Sequence, residues 1–296
     1  MNQDLFHDAT ALLASPAQAT QPNRRDWLKT AVGVGYAAAC LPVMSQTAIR
    51  TSGDGLLHGE VMIDVNGFQM PAYRSMPQGK QACPVVLVVS EIFGVHEYIA
   101  DVTRRLAHQG YLAIAPELML RQGDPSSYGE IGKLMTEVVA KVPDAQVMGD
   151  LDACVAWAGK HGGDATQLSV TGFCWGGRIT WLYAAHQPAV RSAVAWYGRL
   201  VGQSSSLTPQ NPLGLADQLK APVLGLYAGA DTGISLDSVT QMKQALASGN
   251  NAAKRSRIQV YDGVPHGFHA DYRATYREAE ANDGWQRMLQ WMKAPA

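Results

Sequence analysis

At 296 residues, 47% hydrophobic and 17% charged, the chain can bury a sizeable core, as one large domain or two small ones. A net charge of −1 with no basic stripe beyond the N-terminus argues against a nucleic-acid partner. The four cysteines, at 40, 83, 154 and 174, form no Cys-x-x-Cys and lack metal-ligand spacing, so neither a zinc site nor a disulfide framework is suggested.

The chain opens with a leader-like stretch. Asn23-Arg24-Arg25-Asp26-Trp27-Leu28-Lys29 precedes a short, mildly apolar, glycine-containing segment running from Thr30 to Met44. This order resembles a twin-arginine export signal, Ser/Thr-Arg-Arg-x-Phe-Leu-Lys, with Asn23 and Trp27 as the two departures. The apolar part is shorter than the ~18 to 20 residues that span a bilayer and is ended by Pro42, so stable membrane insertion is not expected. Small residues suggest cleavage near Ser45 or Ala48. The reading implies a passing partnership with the twin-arginine translocation machinery and a periplasmic or secreted product. A soluble amphipathic extension, an uncleaved anchor and, at Ala38-Ala39-Cys40, a lipoprotein signal compete with it.

From His58 onward the pattern is that of a folded α/β domain. Glu60–Val65 and Phe68–Arg74 alternate in polarity about Asn66-Gly67, which predicts a hairpin with a two-residue turn. Pro84–Ser90 is apolar on both faces, as in a covered parallel sheet. A helix over His96–His108, with Ile99, Val102 and Leu106 on one side, leads through Gly110 to a strand at Tyr111–Pro116. Such a βαβ unit sets its strands parallel. Glu91 therefore stands at the carboxyl end of a central strand, where open α/β sheets place ligands, although a helix-capping carboxylate would read alike. Pro116–Tyr128, which carries Arg121, reads as a loop over the same sheet end. Val147–Lys160 reads as a helix with Leu151, Cys154, Val155 and Ala158 inward, Cys154 being core.

The next stretch holds the sharpest signal. Leu168–Val170 runs through Gly172-Phe173-Cys174-Trp175-Gly176-Gly177 into a helix over Arg178–His186. Strand, sharp turn and helix around Gly-x-Cys-x-Gly-Gly is the pattern of a nucleophile elbow, with Cys in place of the usual Ser. The helix N-terminus behind it favours a thiolate. Strands at Ser192–Tyr197, Pro222–Gly229 and Arg257–Tyr261 follow, with a polar loop over Val201–Asn211 and helices over Ser235–Ala247 and Thr275–Trp291. Asp231 follows the second of these strands and His266 the third. The chain order Cys174, Asp231, His266 is that of the α/β-hydrolase architecture. Taken singly, each has a bland reading: packed thiol, helix cap, loop histidine.

As a set they supply nucleophile, base and orienting carboxylate, with backbone amides of Ile92 and Trp175 as an oxyanion hole. Glu91, Arg121 and Tyr197 are candidates for substrate binding or thiol regulation. This chemistry needs no metal and no cofactor. The expected fold is a mostly parallel central sheet with an N-terminal hairpin and helices on both faces. Residues 1–48 are read as signal and extension, and 49–296 as one domain.

Glu91-Ile92-Phe93-Gly94, Arg121-Gln122, the Cys174 elbow, Gly229-Ala230-Asp231 and Pro265-His266-Gly267-Phe268 together resemble the dienelactone hydrolases (carboxymethylenebutenolidases). The resemblance implies hydrolysis of a small ester or enol-lactone by a Cys-His-Asp triad. It also implies that Glu91 pairs with the resting thiol and swings away when substrate binds, and that Arg121 pairs with Glu91 and helps hold a substrate carboxylate. A second family Arg, four residues after the histidine, is replaced by Ala270, with His269 and Arg273 nearby. That change and the export motif point to a small ester or lactone other than dienelactone. The competing classes are a non-catalytic small-molecule binding protein on the same scaffold and a thiol-redox protein.

Overall fold

The structure, a computed structural model, describes residues 48–294; the export-signal reading falls on residues outside them. Eight strands make one sheet: β1 (Leu56–Val65), β2 (Phe68–Pro77), β3 (Cys83–Val89), β4 (Leu112–Pro116), β5 (Gly163–Phe173), β6 (Val190–Trp196), β7 (Val223–Ala228) and β8 (Arg257–Tyr261). Their order is β1-β2-β4-β3-β5-β6-β7-β8. The hairpin β1–β2 joins the sheet antiparallel to β4, and every later neighbour pair is parallel. Asn66 and Gly67 both take positive φ, 52° and 89°, as a two-residue hairpin turn requires. Apolar side chains on both faces of β4 and β7 are buried throughout, and those of β3 everywhere but at half-buried Pro84, as the continuous apolar runs foretold.

Seven helices accompany the sheet among the described residues: α1 (Glu97–His108), α2 (Ile131–Glu137), α3 (Asp144–Lys160), α4 (Trp175–His186), α5 (Leu236–Ser248), α6 (Asn251–Arg255) and α7 (Glu278–Lys293). The strand alternation of β5 shows how they divide. Thr171 donates to the Met288 sulfur of α7 at 3.6 Å, and the Phe173 ring meets Tyr98 of α1 at 5.6 Å. Gly172, between them, faces the carbonyl of Gly176 and Thr180 of α4 instead. Helices therefore lie on both faces. None of the described helices is long and apolar enough to cross a membrane.

The parallel register brings one edge of the sheet into line. Val89 pairs with Gly172, Phe173 with Trp196, and Trp196 with Leu226, so β3, β5, β6 and β7 end together. The residues just past those ends are Glu91, Cys174, Tyr197 and Asp231, and the loop after neighbouring β8 carries His266. Residues scattered along the chain share one rim because parallel strands deliver every carboxyl end to the same side.

Candidate active site

Cys174 sits at φ 54°, ψ −114°, immediately before α4, and its side chain is buried. A non-glycine residue held at positive φ is strained by about 1 to 3 kcal/mol and persists only where its surroundings fix it. The neighbouring glycines provide that fixing. A Cβ on Gly176 would lie 2.3 Å from the Val89 carbonyl oxygen, and one on Gly177 2.4 Å from that of Trp196. The elbow is wedged between the ends of β3 and β6, a fit that no side chain at either position permits. The Cys174 amide donates to the Trp196 carbonyl at 3.0 Å, and Arg178 N–H donates to the Cys174 carbonyl at 3.2 Å, starting the helix. Trp175 then occupies the first turn of α4, whose amides lack partners within the helix. Gly176 packs on the carbonyls of Val89 and Ser90, which draws the loop bearing Glu91 and Ile92 against the elbow.

Asp231 and His266 meet directly. Asp231 Oδ2 accepts from His266 Nδ1 at 2.6 Å, with side chains 1% and 2% exposed. Its other oxygen, Oδ1, accepts from the amides of Gly233 (2.8 Å) and Ile234 (3.1 Å), which fix the carboxylate plane. With Nδ1 so committed, the second ring nitrogen, the buried Nε2, is the working one, and the Cys174 side chain acts on this imidazole. Burial alone would push the imidazole down, but the charge of a Cys174 thiolate and the Asp231 carboxylate together hold it well above the ordinary histidine range. The Tyr197 ring stands edge-on to it, centroids 5.0 Å apart. Tyr197 is itself at φ 38° and fully buried. Burial and the negative charges of Glu91 and Cys174 push that phenol well up, so it stays protonated.

Glu91 is fully buried. Its Oε2 accepts from His96 Nε2 and from the Tyr272 hydroxyl, both at 3.1 Å, while Oε1 has no partner. Burial would raise its pKa; the His96 hydrogen bond, the Arg273 charge and the Tyr272 hydrogen bond outweigh that and hold the carboxyl below its usual range. The two donors to Oε2 thus come from the loops after β3 and β8. Arg121 is engaged elsewhere. Its Nη1 donates to Asp150 Oδ2 at 2.6 Å, and its guanidinium lies 4.1 Å over the Phe68 ring. The guanidinium whose charge acts on Glu91 is that of Arg273, so the expected pairing of Arg121 with Glu91 is corrected.

The residues around the missing family arginine separate clearly. Ala270 is buried in the core. His269 turns into an aromatic cluster, its Nδ1 hydrogen-bonded with the Tyr98 hydroxyl (2.6 Å) and its ring stacked on Phe173, and burial and the Arg105 charge hold its imidazole well below the ordinary range. Arg273 instead reaches the site, its Nε donating to the Tyr272 hydroxyl at 3.0 Å with the guanidinium over Phe93. Sequence reasoning missed His96 and Tyr272 altogether. Neither lies in a recognisable motif, and only folding brings them to Glu91.

The rim thus gathers a thiol, an imidazole oriented by a carboxylate, a buried phenol at Tyr197 and a buried carboxylate at Glu91 whose Oε1 has no hydrogen-bond partner. Such an arrangement suits nucleophilic attack on a carbonyl carbon, with proton transfer through the imidazole.

Comparison with known proteins agrees in fold and family. The model of the "Dienelactone hydrolase family" matches residues 70–295. A protein of Methylorubrum extorquens named "Putative carboxymethylenebutenolidase" is 54% identical over 282 residues, 95% of this chain and 96% of its own. One of the same name from Salmonella typhi is 54% identical over 258 residues, 87% of this chain and 94% of its own. The crystal structure of a "Putative Dienelactone Hydrolase" from Klebsiella pneumoniae superposes with a TM-score of 0.78 at 55% identity, covering 81% of this chain and 99% of that one.

Proposed function

The chain belongs to the dienelactone hydrolase family and is a hydrolase acting on ester or lactone bonds, and from that premise we propose that it cleaves a small ester or enol-lactone through an acyl-cysteine on Cys174. In this reading His266 Nε2 takes the thiol proton, the sulfur attacks the carbonyl carbon, and the oxyanion is held by the amides of Ile92 and Trp175. When the carbon–oxygen bond breaks, the imidazolium returns its proton to the leaving oxygen. His266 then deprotonates a water that attacks the thioester and frees Cys174. Asp231 keeps the proton on Nδ1 throughout, so that Nε2 is the basic nitrogen. The Tyr197 hydroxyl, buried and protonated, serves as a donor to a substrate oxygen.

The observation that carries the proposal is the 2.6 Å Asp231–His266 pair on the same rim as an elbow cysteine held at positive φ. Steady-state hydrolysis of an activated aryl ester tests it. Turnover is lost in Cys174→Ala and in His266→Ala; a Cys174→Ala variant that retains turnover contradicts it. A binding protein on this scaffold would instead show affinity without turnover in the wild type.

We further place the mature enzyme in the periplasm, on the Arg24-Arg25 motif and the apolar segment behind it. With Ala270 where the family has an arginine, this favours a small ester or lactone other than dienelactone. Fractionation of cells expressing the full chain, with Arg24 and Arg25 changed to Lys as the control, tests export. A strong and exclusive preference for dienelactone over simple aryl esters would refute the substrate reading.

A further inference from the structure

The loop after β8 that carries His266 faces two ways. Tyr272 turns to the site and donates to Glu91, while Asp271, one residue earlier, turns to α1. There its Oδ2 accepts from Arg105 Nη2 at 2.5 Å, and Arg105 Nε donates to Asp101 Oδ2 at 2.5 Å. The side chains of Asp271 and Asp101 are 2% and 0% exposed and that of Arg105 15%, so both bonds are buried. The same guanidinium stands 5.9 Å over the ring of Trp285 in α7. One side chain thus joins α1, the loop and α7. Around it a strap of chain closes. Thr51 donates to Asp101 from its amide (2.5 Å) and its hydroxyl (3.2 Å), and its carbonyl accepts from Arg104 Nε at 3.1 Å. The Ile49 amide hydrogen-bonds the Asp271 carboxyl, and the Ser52 carbonyl accepts from His108 Nε2 at 2.8 Å. The strap, residues 49–52, stands ahead of the family match at 70–295.

We propose that Arg105 is a positioning residue for the reaction: it clamps the His266 loop to α1 through Asp271, and the strap of residues 49–52 completes the clamp. The effect on the chemistry, though not the clamp itself, rests on the triad reading above. The loop is folded on itself by the amides of Ala270, Arg273, Tyr276 and Arg277, which donate to the carbonyls of Gly267, Ala270, Arg273 and Phe268. So compact a loop moves as a piece, and a tether at Asp271 holds His266 as well. Removing the cation from a buried carboxylate is costly, which makes the clamp stiff. Arg104, which also donates to Asp101 and pairs with Glu97, balances the second carboxylate. The other groups that feel the Arg105 charge are Tyr98 of α1 and His269 and Tyr276 of the loop. A loosened loop carries His266 off its line to the elbow, and a thiolate at Cys174 then loses part of the imidazolium charge that stabilises it.

Two readouts divide the test. Amide hydrogen exchange of the peptide spanning residues 263–277 reports the clamp, and the pH midpoint of Cys174 alkylation by iodoacetamide reports its effect on the site. In Arg105→Met and Asp271→Leu, which keep bulk but not charge, and in Thr51→Pro, which loses the amide donor, the loop exchanges about tenfold faster or more while β3 and β5 keep the wild-type rate. The alkylation midpoint rises by about half a pH unit or more in both Arg105→Met and Asp271→Leu. Charge alone predicts opposite signs, since losing the Arg105 cation raises a thiol's midpoint and losing the Asp271 anion lowers it. Opposite shifts, or a lower melting temperature with an unmoved midpoint, would make Arg105 a structural residue only and overturn the proposal. Loop exchange unchanged in Thr51→Pro overturns the part given to the strap. Should Arg105→Met fail to fold, Asp271→Leu decides alone, because a rise there cannot come from charge. If no acyl group forms on Cys174, the triad reading fails, yet loop exchange still decides the clamp.

Discussion

Asp231→Asn separates orientation from architecture. Asp231 uses Oδ1 to accept from the Gly233 and Ile234 amides and Oδ2 to accept from His266 Nδ1 at 2.6 Å. Only the carbonyl of an asparagine can accept from the two amides, so its NH2 group must face Nδ1. That nitrogen then has to act as acceptor, which moves the ring proton to Nε2, where it blocks uptake of the thiol proton. In a buried triad this wrong tautomer costs on the order of 10^4 in turnover, about 5 kcal/mol of transition-state stabilisation. The local turn keeps both amide hydrogen bonds, so thermal stability stays within a few degrees of the wild type. An alanine would be a poorer choice, because freeing two buried amides adds about 1 kcal/mol or more apiece in lost stability. The assay is kcat/KM on an activated aryl ester across neutral pH, alongside a melting curve. A folded Asp231→Asn enzyme losing less than about tenfold would refute the orienting role.

Other outcomes follow from the same geometry. Gly177→Ala places a methyl 2.4 Å from the Trp196 carbonyl and 2.9 Å from Gly198, and should destabilise the fold by about 2 kcal/mol or more. By contrast Gly149→Ala, in α3 with no atom within 4 Å of the new methyl, should stabilise by about 0.5 to 1 kcal/mol; denaturant unfolding compares the two, and equal effects would contradict the packing argument. Burial pushes the thiols of Cys83 and Cys154 up, so of the three cysteines in the described residues, iodoacetamide at neutral pH should modify Cys174 first. Peptide mapping that finds Cys83 or Cys154 labelled ahead of it would count against a reactive elbow. The Glu91 carboxyl is depressed in the folded state, so its contribution to stability is present above the unfolded value of 4.5 and is lost as pH falls through the lower folded value. The stability difference between wild type and E91Q should therefore be flat above about pH 5.5 and shift against the wild type only below 4.5. A difference that changes between pH 6 and 8 would show Glu91 titrating far higher, about where an unheld buried carboxyl would.

Apolar runs and turn residues carried most of the fold. Arg257–Tyr261 is a strand over the residues expected, and Asn66-Gly67 turns the hairpin as expected. Elements without a strong period went unread. Helix α2 buries only Leu134 and Met135 and has no side-chain cap at Glu130, and five-residue α6 begins at Asn251, capped by Asn250, in a Gly-Asn-Asn run that reads as a turn. The closing helix starts at Glu278, not Thr275, because the preceding residues fold back toward the site, with Arg277 N–H donating to the Phe268 carbonyl. At the site, glycine spacing marked Cys174, and strand ends marked Asp231 and His266. Which arginine reaches Glu91 was not legible, since that depends on side-chain direction. Arg121 turns to Asp150 of α3, while Arg273, seven residues past His266, comes back over Phe93. His96 and Tyr272 converge on one carboxylate oxygen from separations of 5 and 181 residues, a meeting that no local pattern announces.

The most direct measurement is mass spectrometry of the protein quenched in acid within the first turnover of an activated aryl ester. The expected result is one acyl group per chain, on the peptide bearing Cys174, formed in the wild type and absent in Cys174→Ala. Ester hydrolysed at full rate with no acyl mass on Cys174, or with the acyl group on another side chain, would contradict the assignment of that sulfur as the nucleophile.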